Sequence, residues 1–243
     1  MPTLTPVYAV LLLALAACST LPNDPAEMNS AYRAAIGDAA VASPSKIVPL
    51  LALPSTETLS VVSLMSTAKV PPCSQEALPC TVTLGDRPLW VTLSGEVQAR
   101  CRSWDLRGDE LRNRLEQLLG MPMDPPPQYR KTVFVEFRVA RQNLERPCLG
   151  VDASEPVQPV CTLDAQPTTP ATLRAFVGQQ MAESYVVDRL AAPGYPFTRL
   201  GYTYDWAPTA RVDHYGASEF IATPTSTVEV VSVVSADDYC NAP

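Results

Sequence analysis

The chain is poor in histidine, glycine and basic clusters. One histidine, His214, occurs among 243 residues. A zinc centre would lack its commonest nitrogen ligand, and a Ser-His-Asp scheme would have a single candidate base. Ten glycines are present, and no glycine-rich phosphate loop, HExxH or EF-hand pattern occurs, which removes the familiar nucleotide, zinc and calcium motifs. No serine sits in a GxSxG frame. Lysine and arginine total 18 against 25 acidic residues, for a net charge of -7. With no basic run to make a local exception, nucleic acid is not expected as a partner. The longest apolar run, residues 7–17, has eleven residues, well short of the roughly 20 that a membrane-spanning helix needs. No cofactor and no metal is expected.

Proline and cysteine are plentiful instead. Twenty-five prolines imply many fixed turns and few long helices. The hydrophobic fraction of 47% is that of an ordinary globular chain with a sizeable core. Seven cysteines are present, and the first has a distinctive setting. Cys18 ends the apolar stretch VYAVLLLALAA, which has the length and small-residue ending of a secretory signal.

Leu15-Ala16-Ala17-Cys18 resembles the lipobox of bacterial lipoproteins. That resemblance implies cleavage before Cys18 and lipidation of its sulfur and amine, with Ser19 pointing to the outer membrane and the periplasmic face. The n-region MPTLTP departs from such signals in lacking Lys or Arg. Two or three acyl chains, at ~0.8 kcal/mol per buried methylene, suffice to anchor an otherwise soluble domain. Removing Cys18 leaves an even set, and an oxidising compartment turns six cysteines into three disulfides. Six cysteines allow 15 pairings. Short loops favour Cys73 with Cys80 and Cys148 with Cys161, leaving Cys101 with Cys240.

Three segments are expected: a signal at 1–17, a lipidated tether at 18–45, and one domain at 46–243. In the tether, Asp24-Pro25-Ala26-Glu27 reads as a helix start running to about Val41, with an extended spacer as the alternative. Within the domain, 47–53 and 58–65 read as strands. Residues 81–84 and 89–93 read as a hairpin around Gly85-Asp86. Leu111, Leu115, Leu118 and Leu119 recur at helical spacing, with Gly120 and Pro122 as the stop. Residues 131–140 alternate as a strand with a fully apolar face. A second amphipathic helix follows Thr169-Pro170 to about Tyr185. Strands are expected at 198–206, 218–223 and 227–235, the last two joined as a hairpin. The sum is an α+β fold, a mixed, mainly antiparallel sheet with two or three packing helices, braced by disulfides.

Residues 199–220 crowd Tyr202, Tyr204, Trp206 and Tyr215 beside Asp205, Asp213 and His214. Tyr204, Trp206, His214 and Tyr215 are the candidate binding surface, and the competing expectation is that the strand's aromatics pack under a helix. For carboxylate chemistry the candidates are Glu136, Asp205 and Glu219, each beside apolar residues able to raise a pKa. SEFIATPTSTVEVVSV faintly resembles the closing hairpin of ADP-ribosyltransferases, which implies Glu219 as catalytic acid and Arg138 as an upstream arginine. The expected role is a non-catalytic binding or assembly module contacting another envelope protein or a cell-wall component. An envelope enzyme acting on glycan or peptide is the alternative.

Overall fold

The computed structural model describes residues 24–122, 125–152, 158–187, 194–208 and 213–241. The signal and Cys18 lie outside them. In chain order the elements are helix α1 (Pro25–Ala40), strands β1 (Thr58–Met65), β2 (Cys80–Thr83) and β3 (Leu89–Leu93), helices α2 (Glu96–Cys101) and α3 (Gly108–Leu118), strands β4 (Val133–Ala140), β5 (Leu144–Glu145), β6 (Val151–Asp152) and β7 (Val160–Cys161), helix α4 (Ala171–Ser184), strands β8 (Tyr202–Tyr204), β9 (Tyr215–Ser218), β10 (Phe220–Ala222) and β11 (Thr227–Ser235), and helix α5 (Ala236–Asn241). The architecture is α+β. Seven strands form one antiparallel sheet in the order β2-β11-β4-β1-β3-β10-β5, with two small two-stranded sheets beside it. No helix among the described residues is long and apolar enough to cross a membrane.

The sheet is built around its longest strands. β1 and β4 pair along eight positions, from Thr58↔Ala140 to Met65↔Val133. β11 lies on the other side of β4, with a register shift between Val230 and Ser232. Both faces are apolar at the centre. Val62, Leu64 and Phe134 meet α2, α3 and α5 on one side through Val97, Leu111, Leu115 and Tyr239. Val61, Val135, Phe137 and Val139 fill the opposite face, against which Leu53, Val70 and Cys73 pack.

Neither expected hairpin forms. β2 pairs with β11, while β3 pairs with β1 and β10. Likewise β10 pairs with β3 and β5, and three strands separate it from β11. The two turns instead meet each other, Leu84 N–H donating to Ser226 O (2.9 Å) and Thr225 N–H to Gly85 O (3.1 Å). A nine-residue strand gains more ladder bonds and more buried area from eight-residue β4 than from three-residue β10, and local turn chemistry cannot register that competition. The expected strand at 47–53 is also absent. Pro49 and Pro54 remove ladder donors there, and Leu50 N–H donates singly to Pro159 O (2.9 Å). Of 198–206, only β8 is strand, and it pairs with β9 outside the main sheet.

Residues 25–40 do form the helix, and the helix is not a free tether. Asp24 caps it by accepting from Ala26 N–H (2.9 Å). Met28, Tyr32, Ala35, Ile36 and Ala39, at helical spacing, bury their stripe against Tyr204 and Trp206. The helix therefore belongs to a packed core shared with Tyr204 and Trp206.

Three disulfides brace the domain: Cys73–Cys80, Cys148–Cys161 and Cys101–Cys240. The last joins α2 to α5 across 139 residues. In the chain-entropy account that long loop contributes about 5 kcal/mol and the seven-residue loop about half as much. Replacing Cys101 and Cys240 together by alanine is expected to lower stability by about 3–5 kcal/mol in urea unfolding. Replacing Cys73 and Cys80 should cost about 2 kcal/mol. Equal losses would contradict the assignment of the long bridge as the main brace.

Candidate functional site

A cavity of about 290 Å³ opens on the helix-bearing face of the sheet. Its floor is Val62, Leu64, Trp90, Thr92 and Phe134, and Gln180 of α4 stands on one side with Tyr195. Leu119 to Pro122 line another side. That wall follows from how α3 ends. Gly120 adopts φ +64°, a backbone region that costs glycine little. Gly120 N–H donates to Gln117 O (3.2 Å) and Met121 N–H to Glu116 O (2.8 Å), the paired bonds of a Schellman stop. Trp206 then holds the turn, its Nε1–H donating to Met121 O (3.1 Å). Lys131, Thr203 and Glu219 complete the lining.

Glu219 sits between β9 and β10, its N–H donating to Gly201 O (2.9 Å). The residue borders the cavity, yet its Oε2 is shielded from solvent and accepts no hydrogen bond. Burial alone pushes its carboxyl up to about 8. Tyr195 is its neighbour. Burial first, then the Glu219 charge, raises the Tyr195 phenol pKa, and the phenol O–H donates to Gln180 Oε1. Trp90 is packed by Phe176, Tyr195 and Phe197 at ring separations of 5.7, 6.4 and 5.9 Å. Lys131 Nζ donates only weakly, to Met121 Sδ at 3.3 Å. Its burial lowers the ammonium pKa, with Glu116 opposing that shift.

The other two acids are elsewhere. Asp205 is held in a two-pronged pair by Arg114, at 2.7 and 3.0 Å. Both side chains are largely buried, 13% and 7% exposed. Asp205 Oδ1 also accepts from Ala207 N–H (3.1 Å). This carboxylate fastens the 205–207 turn to α3 and is committed to that task. Glu136 lies on the sheet among serines, Oε1 accepting from Ser60 (2.6 Å) and Ser94 (3.2 Å), and Oε2 from Ser232 (3.3 Å). Arg138 pairs with Glu229 (3.0 Å), not with Glu136. Of the three candidate acids, Glu219 alone lines the cavity, so no pair of them converges. The likeness to an ADP-ribosyltransferase hairpin also loses its basis, because β10 and β11 do not pair.

The aromatic candidates need correction. Tyr204 and Trp206 are 5% and 3% exposed. Tyr32 of α1 meets Trp206 edge-on at 5.2 Å. They are the seat of α1, as alternation along β8 allows, and cannot present a bearing surface. His214 and Tyr215 are partly exposed. His214 stacks on Tyr204 at 4.7 Å with its Nδ1 2.9 Å from Asp205 O, and Tyr215 lies edge-on to Tyr202 at 5.1 Å under the Arg100 guanidinium. Tyr204 O–H donates to Asp38 Oδ2 (3.0 Å), and Asp38 Oδ1 pairs with Lys46 (2.9 Å).

Trp90, Lys131, Gln180 and Tyr195 were not legible as a site. They come from β3, the entry to β4, α4 and the segment after it, and nothing in their local sequence brings them together. Among the described residues no group of three or more His, Cys, Asp and Glu could hold a metal ion. No family model, curated protein or solved structure matches the chain.

Two outcomes follow from these carboxylates. Arg114→Ala strands Asp205 in a buried position and is expected to cost about 3–5 kcal/mol, read by urea unfolding. An unchanged midpoint would mean that the pair is not structural. Glu219 supplies the pH dependence. Its folded pKa is raised above 4.5 to about 8, so between those values the unfolded chain binds fewer protons than the native one. Stability should therefore fall as pH rises from about 5 to 8, by at most about 1.4 kcal/mol per pH unit from this group. Glu219→Gln should flatten that decline in thermal unfolding measured across the same range. An identical decline in the variant would remove Glu219 as its source.

Proposed function

We propose that the chain is a lipid-anchored, non-catalytic binding module of the bacterial cell envelope, held at the outer membrane and facing the periplasm. The observation that carries the binding role is the cavity: mainly apolar walls, three aromatic residues and a single carboxyl with a shielded oxygen in about 290 Å³. That arrangement suits a small ligand fixed by few polar groups. A glycosidase-like mechanism asks for two carboxyls about 5–9.5 Å apart across the bond to be broken, and the candidate acids do not supply them. Location rests on the lipobox-like Leu15 to Cys18 and on three disulfides, which persist in oxidising compartments. A cavity of this size accepts a fragment of the cell wall or a short segment of another envelope protein.

The test is native mass spectrometry of the full chain, recovered from membranes and incubated with a cell-wall digest. The expected result is a low-mass adduct released chemically unchanged on denaturation, on a protein whose own mass includes acyl chains at Cys18. Cys18→Ser should lose those chains and appear in the soluble periplasmic fraction. A ligand returned with a bond broken would overturn the non-catalytic reading, and a membrane-bound Cys18→Ser protein would overturn the anchor.

A further inference from the structure

Two groups able to carry opposite charges line this one cavity: Glu219, and Lys131, which has Glu116 as a charged neighbour but only a thioether as hydrogen-bond acceptor. Glu219 Oε2 is buried with no hydrogen bond. The Lys131 ammonium has the Met121 thioether, a weak acceptor. They do not neutralise each other. No ion pair joins them among the described residues, and burial is the one influence on the Glu219 carboxyl. Tyr185 and Tyr195 face Glu219, and Glu116 faces Lys131 from α3. Trp90, Leu64, Leu119 and Met121 line the same cavity.

We propose that the cavity seats a small zwitterion, a free amino acid or a peptide of two or three residues, with its ammonium group on Glu219 and its carboxylate on Lys131. This deepens the binding reading above and rests on it. Each buried group disfavours its own charge in an apolar wall, and a fixed opposite charge reverses that preference. A simple cation would satisfy Glu219 and leave the Lys131 ammonium with Glu116 and a thioether alone. A simple anion would do the reverse. A zwitterion satisfies both, adds no net charge to the cavity, and lays its apolar body along the rings and aliphatic groups of the lining. The volume lies at the low end for small-molecule sites, which excludes a folded protein as the occupant.

The experiment is isothermal titration at pH 7 with leucine, alanyl-leucine, N-acetyl-alanyl-leucine and alanyl-leucine amide. On the wild-type chain at least one uncapped probe should bind, and capping either end of the dipeptide should weaken it about 10- to 100-fold, the range for one charge-assisted hydrogen bond. Glu219→Gln should weaken the dipeptide by a similar factor and leave the N-acetyl form unchanged. Lys131→Met should do the same for the carboxylate, leaving the amide unchanged. The capped series needs no variant, so a misfolded variant does not remove the test. Capped forms that bind as tightly as the parent would overturn the zwitterion while leaving the binding module intact. No binding by any probe, with a wall-digest adduct still present, would also overturn the zwitterion alone. No binding and no adduct would overturn both readings.

Discussion

The rest of this structure depends on the pairing of β4 with β1 and β11. These are the longest strands, pairing at eight positions between β1 and β4 and at six between β4 and β11, and at the centre of the sheet their side chains are apolar on both faces. A strand buried on both sides must be covered on both sides. On one face the short helices α2, α3 and α5 do this, locked by the bridge between Cys101 and Cys240. On the other face, proline-rich segments such as the one carrying Val70 and Cys73 pack against the sheet. Placing β11 beside β4 also decides where the short strands go. β2 takes the outer edge of β11, while β10 is left to pair with β3 and β5.

Covering one sheet face with short helices leaves gaps. α3 ends at a glycine stop and α4 begins far along the chain, so the floor formed by β1 and β3 between them is only partly roofed. The cavity is that gap. Its wall at 119–122 is held from behind by Trp206, which is itself clamped by Tyr32 of α1. The N-terminal helix thus supports the cavity at one remove, which is a stronger reason for its amphipathic stripe than the spacing of a tether would be.

Two carboxylates show how environment divides one chemistry into two roles. Asp205 is buried, and Glu219 is half-buried with its Oε2 shielded from solvent. Asp205 meets a guanidinium in a two-pronged pair and becomes a fastener. Glu219 borders the cavity, its Oε2 accepts no hydrogen bond, and burial raises its pKa to about 8. Desolvation with a partner makes structure, and desolvation without one marks a site.

The sequence by itself determined the class of fold, the helices at 108–118 and 171–184, and the main strands at 58–65, 133–140 and 227–235, and it offered the helix at 25–40 beside an extended spacer. Those features rest on caps, stops and periodicity that act within a few residues of each other. Short-loop reasoning about the cysteines reached the same three bonds that the structure contains, since six cysteines minus two near pairs leave one. What only the tertiary structure decided was which strands pair, which aromatics are core, and which acid is alone. Strand pairing is a competition over the whole chain, so Gly85-Asp86 and Pro224-Thr225-Ser226 signalled turns without naming the partners of the strands they join. Tyr204 and Trp206 became core because α1, more than 160 residues away in the chain, lies over them. Glu219 could be named from its type and apolar neighbours. Its isolation, and the company of Trp90, Lys131, Gln180 and Tyr195, arise from side chains meeting across elements, and a linear pattern carries no record of that.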